Sequence, residues 1–342
     1  MTLEELRDRR WGALMRVADS PGQAVSRLAA VQAQDLTMAL LAVALRCPGT
    51  RESDILQALD QGHLVRTHAI RPTWHLLAAE DLRWIVGLTG PRVTQVAEPQ
   101  YRRFGLTDAV RARSRKVLEV ALRSGPQPRA VLVAALSEGG FTSGGQPAPL
   151  FLMDAEQHLL ICSGPGLSEP TYDLVDRRVP FASPMPRGEA VSRLCLRFLQ
   201  GHGPATVKDI AWWSGLGVKE VRNALHDLGS LVVSDRLKEQ ALWFDPQGPP
   251  LRARGIQWWP AFDESLMGFA DRTAFVEARH WGKVATRNGL FLPFVTIDGR
   301  VAGTWKLGPS GVEVEWLAKA PKGAEAARQA WGKAWLRFRG QA

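Results

Sequence analysis

The sequence contains little cysteine. Its three cysteines, Cys47, Cys162 and Cys195, lie far apart in a chain of 342 residues. No short-spaced pair suggests a zinc knuckle or a redox motif. We therefore expect buried free thiols in a reducing compartment rather than a disulfide framework.

Long hydrophobic runs are also missing. The longest apolar stretch, residues 38–45, is far shorter than the roughly 20 residues that a membrane-spanning helix needs. The first six residues, Met-Thr-Leu-Glu-Glu-Leu, are acidic and carry no export signal. We therefore expect no membrane association and a cytoplasmic, nucleoid-associated location.

Metal-ligand spacing is absent as well. His63, His68 and His75 fall close together, but no cysteine or carboxylate stands at a familiar ligand interval from them. We therefore predict no metal site and no cofactor. His75 alternates with Trp74 and Leu76 on a predicted strand, and both a cleft-facing and a structural role stay open for it.

Positive charge, by contrast, is in excess. The chain has 43 Lys and Arg against 34 Asp and Glu, a formal net charge of +9. Hydrophobic residues make up 45% and charged residues 23%, the balance of a folded globular protein. The excess favours a polyanionic partner such as nucleic acid. A GC-rich genome would raise the arginine content too, so composition leaves both explanations open.

The first 90 residues have the parts of a winged helix. Apolar periodicity and turn residues predict helices at 22–31, 36–45 and 52–60 and strands at 64–68 and 73–77. Gln32 and Gln34 fall in the short joint where the first of these helices ends. The two strands are separated by Arg71-Pro72 and form the predicted wing.

The same order recurs twice without an exact sequence repeat. The second copy predicts helices at 107–123, 129–137 and 148–162. The third predicts helices at 188–200, 206–214 and 219–228 and strands at 231–235 and 240–244. Thr206 and Asp209 match a capping box, and residues 215–217 supply a glycine turn. Trp212 and Trp213 are interpreted as one interface residue and one core residue.

The third copy contains a helix-turn-helix pattern. Lys219, Arg222 and Asn223 on its second helix, with Lys208 on its first, suit contact with a DNA groove or with phosphates. Winged helices also serve as protein-packing modules, so packing is the competing interpretation of this helix.

After Pro249-Pro250 the pattern turns to β structure. Strands are predicted at 256–259, 274–277, 290–297, 300–306 and 311–317, with a final helix at 324–338. Asp298-Gly299 is a hairpin turn signal. The chain is thus predicted to have four parts, at residues 1–105, 106–186, 187–250 and 251–342.

Four ordered stretches resemble the AlkZ/AlkX family of winged-helix DNA glycosylases. They are residues 28–35, 66–81, 206–216 and 260–272. The resemblance implies an α+β fold of three tandem winged-helix modules around a concave basic channel, followed by a C-terminal β-rich domain with a terminal helix. Family members excise N-alkylated purines from double-stranded DNA, and some unhook interstrand crosslinks with help from a β-hairpin.

The resemblance also implies the catalytic element. The family carries Gln-Φ-Gln in one branch and Gln-Φ-Asp in the other, and Gln32 and Gln34 match the first, although the alanine between them is smaller than usual. It implies a monofunctional, metal-free hydrolase acting on N7-alkylguanine-type lesions. A separate hypothesis places Arg71, Trp74 and His75, on the first predicted wing, at the border of the damaged nucleotide.

Two other functions compete with this one. A non-enzymatic winged-helix regulator would share the charge and the helix-turn-helix, but it would need a dimer and a palindromic site. The sequence has no sustained heptad for dimerisation, so we expect a monomer. The second alternative is a fold homologue whose glutamine pair is inert and which has a scaffold or nucleoid role. Release of 7-methylguanine from DNA separates the three.

Overall fold

In the computed structural model, helices surround a small antiparallel sheet in the first segment of the chain. The structure describes residues 1–142, 145, 147–166, 169–309 and 311–341. The elements of this segment are α1 (Leu3–Leu14), α2 (Pro21–Leu28), β1 (Val31–Gln32), α3 (Leu36–Arg46), α4 (Glu52–Asp60), β2 (Leu64–His68), β3 (Trp74–Ala78) and α5 (Ala79–Arg103). The strand order is β1-β3-β2, so β3 is central. The predicted helices at 36–45 and 52–60 and both predicted strands are confirmed to within one residue.

Helix α2 is shorter than its prediction at 22–31. Ser20 caps its N-terminus by accepting a hydrogen bond from a backbone N–H. The helix ends at Leu28 because Ala29 has a φ of +64°, outside the right-handed helical region. Gln32 and Gln34 lie between α2 and α3 as predicted, but Gln32 belongs to the short strand β1 and not to the end of the helix.

The second segment again combines helices with a small sheet. Its elements are α6 (Asp108–Ala121), β4 (Gln127–Pro128), α7 (Arg129–Glu138), α8 (Ala148–Gln157), β5 (Ile161–Ser163), β6 (Thr171–Leu174) and α9 (Val175–Arg178), with strand order β4-β6-β5. The predicted helix at 148–162 is too long. Leu159 has a φ of +54°, and the buried Ile161 and Cys162 belong to a strand that pairs with β6.

The third segment contains the helix-turn-helix. Its elements are α10 (Arg187–His202), α11 (Val207–Ser214), α12 (Val218–Asp227), a 3-10 turn (Gly229–Leu231), β7 (Val233–Leu237) and β8 (Gln240–Phe244). The capping box of Thr206 and Asp209 is present. Gly215 has a φ of +73°, which allows the turn between α11 and α12. Trp213 is 2% exposed, which confirms the predicted core residue, whereas Trp212 is 42% exposed and its interface role stays a prediction.

The last segment is built on a four-stranded antiparallel sheet of order β12-β11-β10-β9. Its elements are β9 (Ile256–Trp259), α13 (Glu264–Met267), a 3-10 turn (Ala278–His280), α14 (Trp281–Val284), β10 (Phe294–Ile297), β11 (Arg300–Gly308), β12 (Gly311–Trp316) and α15 (Ala324–Phe338). The hairpin at Asp298-Gly299 is confirmed, with φ values of +49° and +75° that suit its tight turn.

The predicted strand at 274–277 is wrong. These residues form a turn in which the N–H groups of Phe275 and Val276 donate to the carbonyl of Arg272. Phe275 is buried and meets Trp11 edge-on at 5.0 Å between ring centroids. The apolar run therefore reflects burial rather than strand pairing, which periodicity alone does not distinguish. The predicted strand at 290–297 is also shorter, since it begins at Phe294.

The last segment packs against the first through buried contacts. Trp11 of α1 stacks on Trp259 at 4.5 Å, and its indole N–H donates to the Gly299 carbonyl at 3.1 Å. Arg46 of α3 forms a buried ion pair with Asp263, with 2.9 Å between guanidinium and carboxylate. These contacts bring α13 beside β1, where the glutamine motif lies. The winged-helix identity of the first three segments and the four boundaries stay predictions.

Candidate active site

The Gln-Ala-Gln motif begins on an edge strand. Gln32 is paired with His75 across β1 and β3, and the Ala33 N–H donates to the Trp74 carbonyl at 2.6 Å. Because β1 is an outer strand of its sheet, one side of its backbone has no neighbouring strand. The motif is thus fixed on one side by β3 and open on the other to residues from elsewhere in the chain.

The two glutamine side chains have different surroundings. Gln32 is 6% exposed, and its Oε1 atom is buried without a hydrogen bond from the described part of the chain. Gln34 is exposed, and its Oε1 lies 3.5 Å from the Trp74 N–H nitrogen, a weak contact at most. A buried polar atom without a partner is costly, so the Gln32 amide oxygen is a strong candidate to accept a hydrogen bond from a ligand or a water.

Arg66 and Trp74 fix the backbone of the motif at Ala33. Arg66 donates to the Ala33 carbonyl from two guanidinium nitrogens, at 3.1 and 2.8 Å, and its guanidinium lies 3.9 Å from the Trp74 ring centroid. Both side chains border a cavity of about 120 Å³. Larger cavities, one of about 720 Å³ beside α5 and α6, lie away from the glutamines. Arg66 and Trp74, in the walls of the small cavity, contact Ala33 of the motif.

His75 is a buried residue next to Gln32. It is 3% exposed, and its Nδ1 lies 2.9 Å from the Thr73 carbonyl, so Nδ1 carries the proton. Burial, followed by the positive charge of Arg71, lowers the pKa of His75 to about 4. His75 is therefore a neutral hydrogen-bond donor near pH 7.

Arg71, the third predicted border residue, belongs to an arginine–tryptophan cluster. Its guanidinium lies 4.5 Å from the Trp212 ring centroid, and that of Arg272 lies 4.7 Å from the same ring. Burial and repulsion from Arg71 lower the pKa of Arg272 to about 10. Among the described residues neither arginine has an ion-pair partner, so the cluster of Arg71, Trp212 and Arg272 favours an anionic ligand.

A buried carboxylate lies directly beside the motif. Glu264 of α13 is 2% exposed, and its Oε1 accepts a hydrogen bond from the Gln32 N–H at 3.4 Å. Its Oε2 lies 2.9 Å from the Trp213 indole nitrogen and 3.2 Å from Nε2 of His202. Burial alone would raise the pKa of Glu264, but the hydrogen bond and the charge interaction with His202, followed by the charge of Arg71, outweigh it and lower the pKa. Glu264 is thus an ionised group inside the protein.

Sequence reasoning missed Glu264 and Arg272. Both belong to the stretch 260–272, which contributed to the family resemblance but received no role. Three carboxylates and an arginine among the apolar residues of this stretch were the available signal.

The four predicted DNA-contacting residues lie on the helix-turn-helix. Lys208 is on the first turn of α11, and Lys219, Arg222 and Asn223 are on α12, all four exposed. The opposite face of α12 is buried through Val221, Ala224 and Leu225. In the described part of the chain none of the four contacts the glutamine pair.

The described residues were predicted to lack both a metal site and a membrane-spanning helix. The described residues hold no group of three or more His, Cys, Asp or Glu side chains suited to a metal ion. Of the three clustered histidines, His63 is exposed and His68 is bound to Glu156. Within the same residues, no helix combines the length and the apolar character needed to cross a membrane.

Comparison with known proteins identifies the family. The profile described as "DNA glycosylase AlkZ-like" matches residues 25–338. The chain belongs to the AlkZ-like DNA glycosylase family, whose members are enzymes that act on DNA. It is 25% identical to the "Interstrand DNA cross-link repair glycosylase" of Streptomyces sahachiroi, over 85% of this chain and 83% of that protein. The solved structure of Streptomyces sahachiroi DNA glycosylase AlkZ superposes with a TM-score of 0.82 at 21% identity, over 99% of this chain and 96% of that one. The fold is therefore shared with that structure.

Proposed function

We propose that this chain is a monofunctional DNA glycosylase that hydrolyses the N-glycosidic bond of N7-alkylguanine-type purines in double-stranded DNA. The observation that carries the proposal is the Gln32 amide oxygen, buried and without a hydrogen-bond donor among the described residues, on the motif that the family resemblance marks as catalytic. Membership of the AlkZ-like family supports it.

The chemistry suits a pair of neutral amides. In an N7-alkylated purine the base already carries a positive charge, so the bond from C1′ to N9 breaks with its electron pair passing to the base, which becomes neutral. Water adds to C1′, and its proton passes to solvent. Gln32 would accept a hydrogen bond from that water, and Gln34 would orient it from the exposed side. The amide dipoles would stabilise the positive charge that develops at the sugar.

Binding of the DNA backbone is proposed to involve the unpaired cations. Arg71 and Arg272 lie around Trp212 near the motif, and Lys219 and Arg222 are exposed on α12 without ion-pair partners in the described chain. Phosphate contacts by such residues would give affinity without sequence preference. We further propose that the first three segments are winged-helix modules lining a basic channel and that the protein acts as a monomer.

Interstrand crosslinks are the proposed extension of the substrate range. A crosslink joined through purine N7 presents an N7-alkylated base at each end, so hydrolysis at one end would separate the strands. The printed name of the relative from Streptomyces sahachiroi, an interstrand crosslink repair glycosylase, supports this extension.

The deciding experiment incubates the purified protein with duplex DNA containing 7-methylguanine and measures the free base. Release by the wild-type protein, and not by the Gln32→Ala, Gln34→Ala double variant, is expected. Tight binding without release would contradict the proposal and favour a DNA-binding regulator.

A further inference from the structure

The backbone of Gln32 needs an acceptor that its sheet does not supply. β1 is an edge strand, and the Gln32 N–H points to the side that lacks a neighbouring strand. A buried N–H group without a partner is rare and costly. Glu264, from a segment 232 positions later in the sequence, accepts this hydrogen bond at 3.4 Å, which is long for an N–H···O bond. The carboxylate thereby ties the motif strand to the last segment of the protein.

The Glu264 carboxylate is itself held rigidly. Oε2 accepts a hydrogen bond from the indole N–H of Trp213, and the ring of His202 lies next to the same oxygen. His202 is fully buried and stacks on Phe198, with 4.4 Å between ring centroids. A glycine at position 268 leaves room for this ring, because a Cβ there would lie 2.5 Å from His202. The two oxygens of Glu264 therefore bind different parts of the protein: Oε2 binds Trp213 of the helix-turn-helix, and Oε1 binds the Gln32 N–H.

The negative charge of Glu264 lies beside Gln32, on the motif where the proposed reaction would develop positive charge. The groups that face Glu264 are the Gln32 backbone, His202, Trp213 and, through its positive charge, Arg71. Arg71 donates to the Met267 carbonyl rather than forming an ion pair with Glu264. The carboxylate thus remains an anion within the low-dielectric interior next to the glutamine motif, where charges interact more strongly than in water.

We propose that Glu264 is the positioning residue of the active site, which fixes Gln32 through its backbone N–H and holds an anionic charge behind the reacting sugar. The inference rests on the proposed glycosylase function. The proposal gives the last segment of the chain a part in the reaction, although the glutamine motif itself lies in the first segment.

Glu264→Gln tests the proposal. A glutamine has a single acceptor oxygen, so it cannot serve the Gln32 N–H and the Trp213 N–H together, and it removes the charge. We expect the single-turnover rate of 7-methylguanine release, at saturating enzyme and well below the melting temperature, to fall at least tenfold with unchanged affinity for undamaged duplex. The matched control is Asp154→Asn. Asp154 is fully buried and ion-paired with Arg111, and it makes no contact with the motif.

The control separates positioning from general stability. Asp154→Asn should lower the melting temperature while its rate stays within twofold of wild type. If folded Glu264→Gln protein releases base within threefold of the wild-type rate, or if Asp154→Asn loses as much rate as Glu264→Gln, the proposal is wrong.

A second measurement needs no stable variant. In wild-type protein labelled with 15N-glutamine, the Gln32 amide, identified by its loss in Gln32→Ala, should exchange its hydrogen at least tenfold more slowly than the amide of the exposed Gln34. Equal exchange rates would show that Glu264 does not hold Gln32 and would overturn the proposal. This result does not depend on catalysis. If the wild-type protein released no base, the proposed function would fail while the Glu264–Gln32 contact could still be judged.

Discussion

Gln34→Ala removes a side-chain amide that makes little contact with the rest of the protein. Gln34 is exposed, and its one hydrogen bond, from the Trp74 N–H, is 3.5 Å long. Its loss should change the free energy of unfolding by less than about 0.5 kcal/mol. If the same amide orients the hydrolytic water, its removal should cost about 2.7 to 4 kcal/mol of transition-state stabilisation, as for other preorganised amide contacts. The rate of base release should therefore fall by about 100- to 1000-fold.

The assay is single-turnover release of 7-methylguanine from duplex DNA at saturating enzyme. The melting temperature and the affinity for undamaged duplex are measured on the same preparation. Gln34→Asp should retain partial activity, since the related branch of the family carries Asp at this position. A Gln34→Ala rate within threefold of wild type, in folded protein that still binds DNA, would refute the catalytic role of the motif.

Three further predictions concern metal, salt and pH. EDTA should leave base release unchanged, and activity that is lost to EDTA and restored by zinc would contradict the metal-free assignment. The logarithm of the affinity for duplex DNA should fall linearly with the logarithm of the salt concentration, and the magnitude of the slope should decrease by about 2 in the double variant Lys219→Ala, Arg222→Ala. Arg279→Ala, at an exposed site paired with Glu277, should keep the wild-type slope. Because the pKa of His75 is lowered to about 4, its contribution to stability is complete above about pH 6.5 and is lost as the pH falls toward 4. The free energy of unfolding, measured with urea, should therefore be about 2 kcal/mol lower at pH 5 than at pH 7. His75→Asn, whose side chain does not titrate, should lack this loss.

The elements that the sequence predicted well are those with strong local signals. The capping box of Thr206 and Asp209 and the hairpin turn at Asp298-Gly299 are chemical instructions carried by a few adjacent residues, and both are present. The strands predicted at 64–68 and 73–77 are also present, and the turn residues Arg71-Pro72 lie between them. Predictions of this kind need no knowledge of the rest of the chain.

The failures arise where tertiary packing decides. The apolar pattern predicts that α2 continues past Leu28, but the positive φ of Ala29 ends the helix. Residues 274–277 read as a strand because they are apolar, yet they are buried in a turn beside Trp11. Both errors come from using hydrophobicity as evidence for regular structure when it is evidence only for burial.

Part of the candidate site could be proposed from the sequence. The family resemblance named Gln32 and Gln34, and a separate hypothesis placed Arg71, Trp74 and His75, which are close to one another on the first predicted wing, at the border of the damaged nucleotide. Contact between Gln32 and Glu264 spans 232 positions, and no local pattern encodes it. Such a pair becomes visible only when the packing of the first and last segments is known.

The protonation states around the motif bear on substrate choice. An undamaged purine is a poor leaving group and must be protonated before its bond to C1′ breaks. His75, with its pKa lowered to about 4, carries no proton to give near pH 7, and the lowered pKa of Glu264 keeps that carboxylate ionised. Neither of these buried groups can therefore act as the general acid that a neutral base would need. A lesion that already bears its positive charge needs no such donor. The proposed preference for N7-alkylated purines thus follows from the site's lack of acidity there as much as from any contact with the alkyl group.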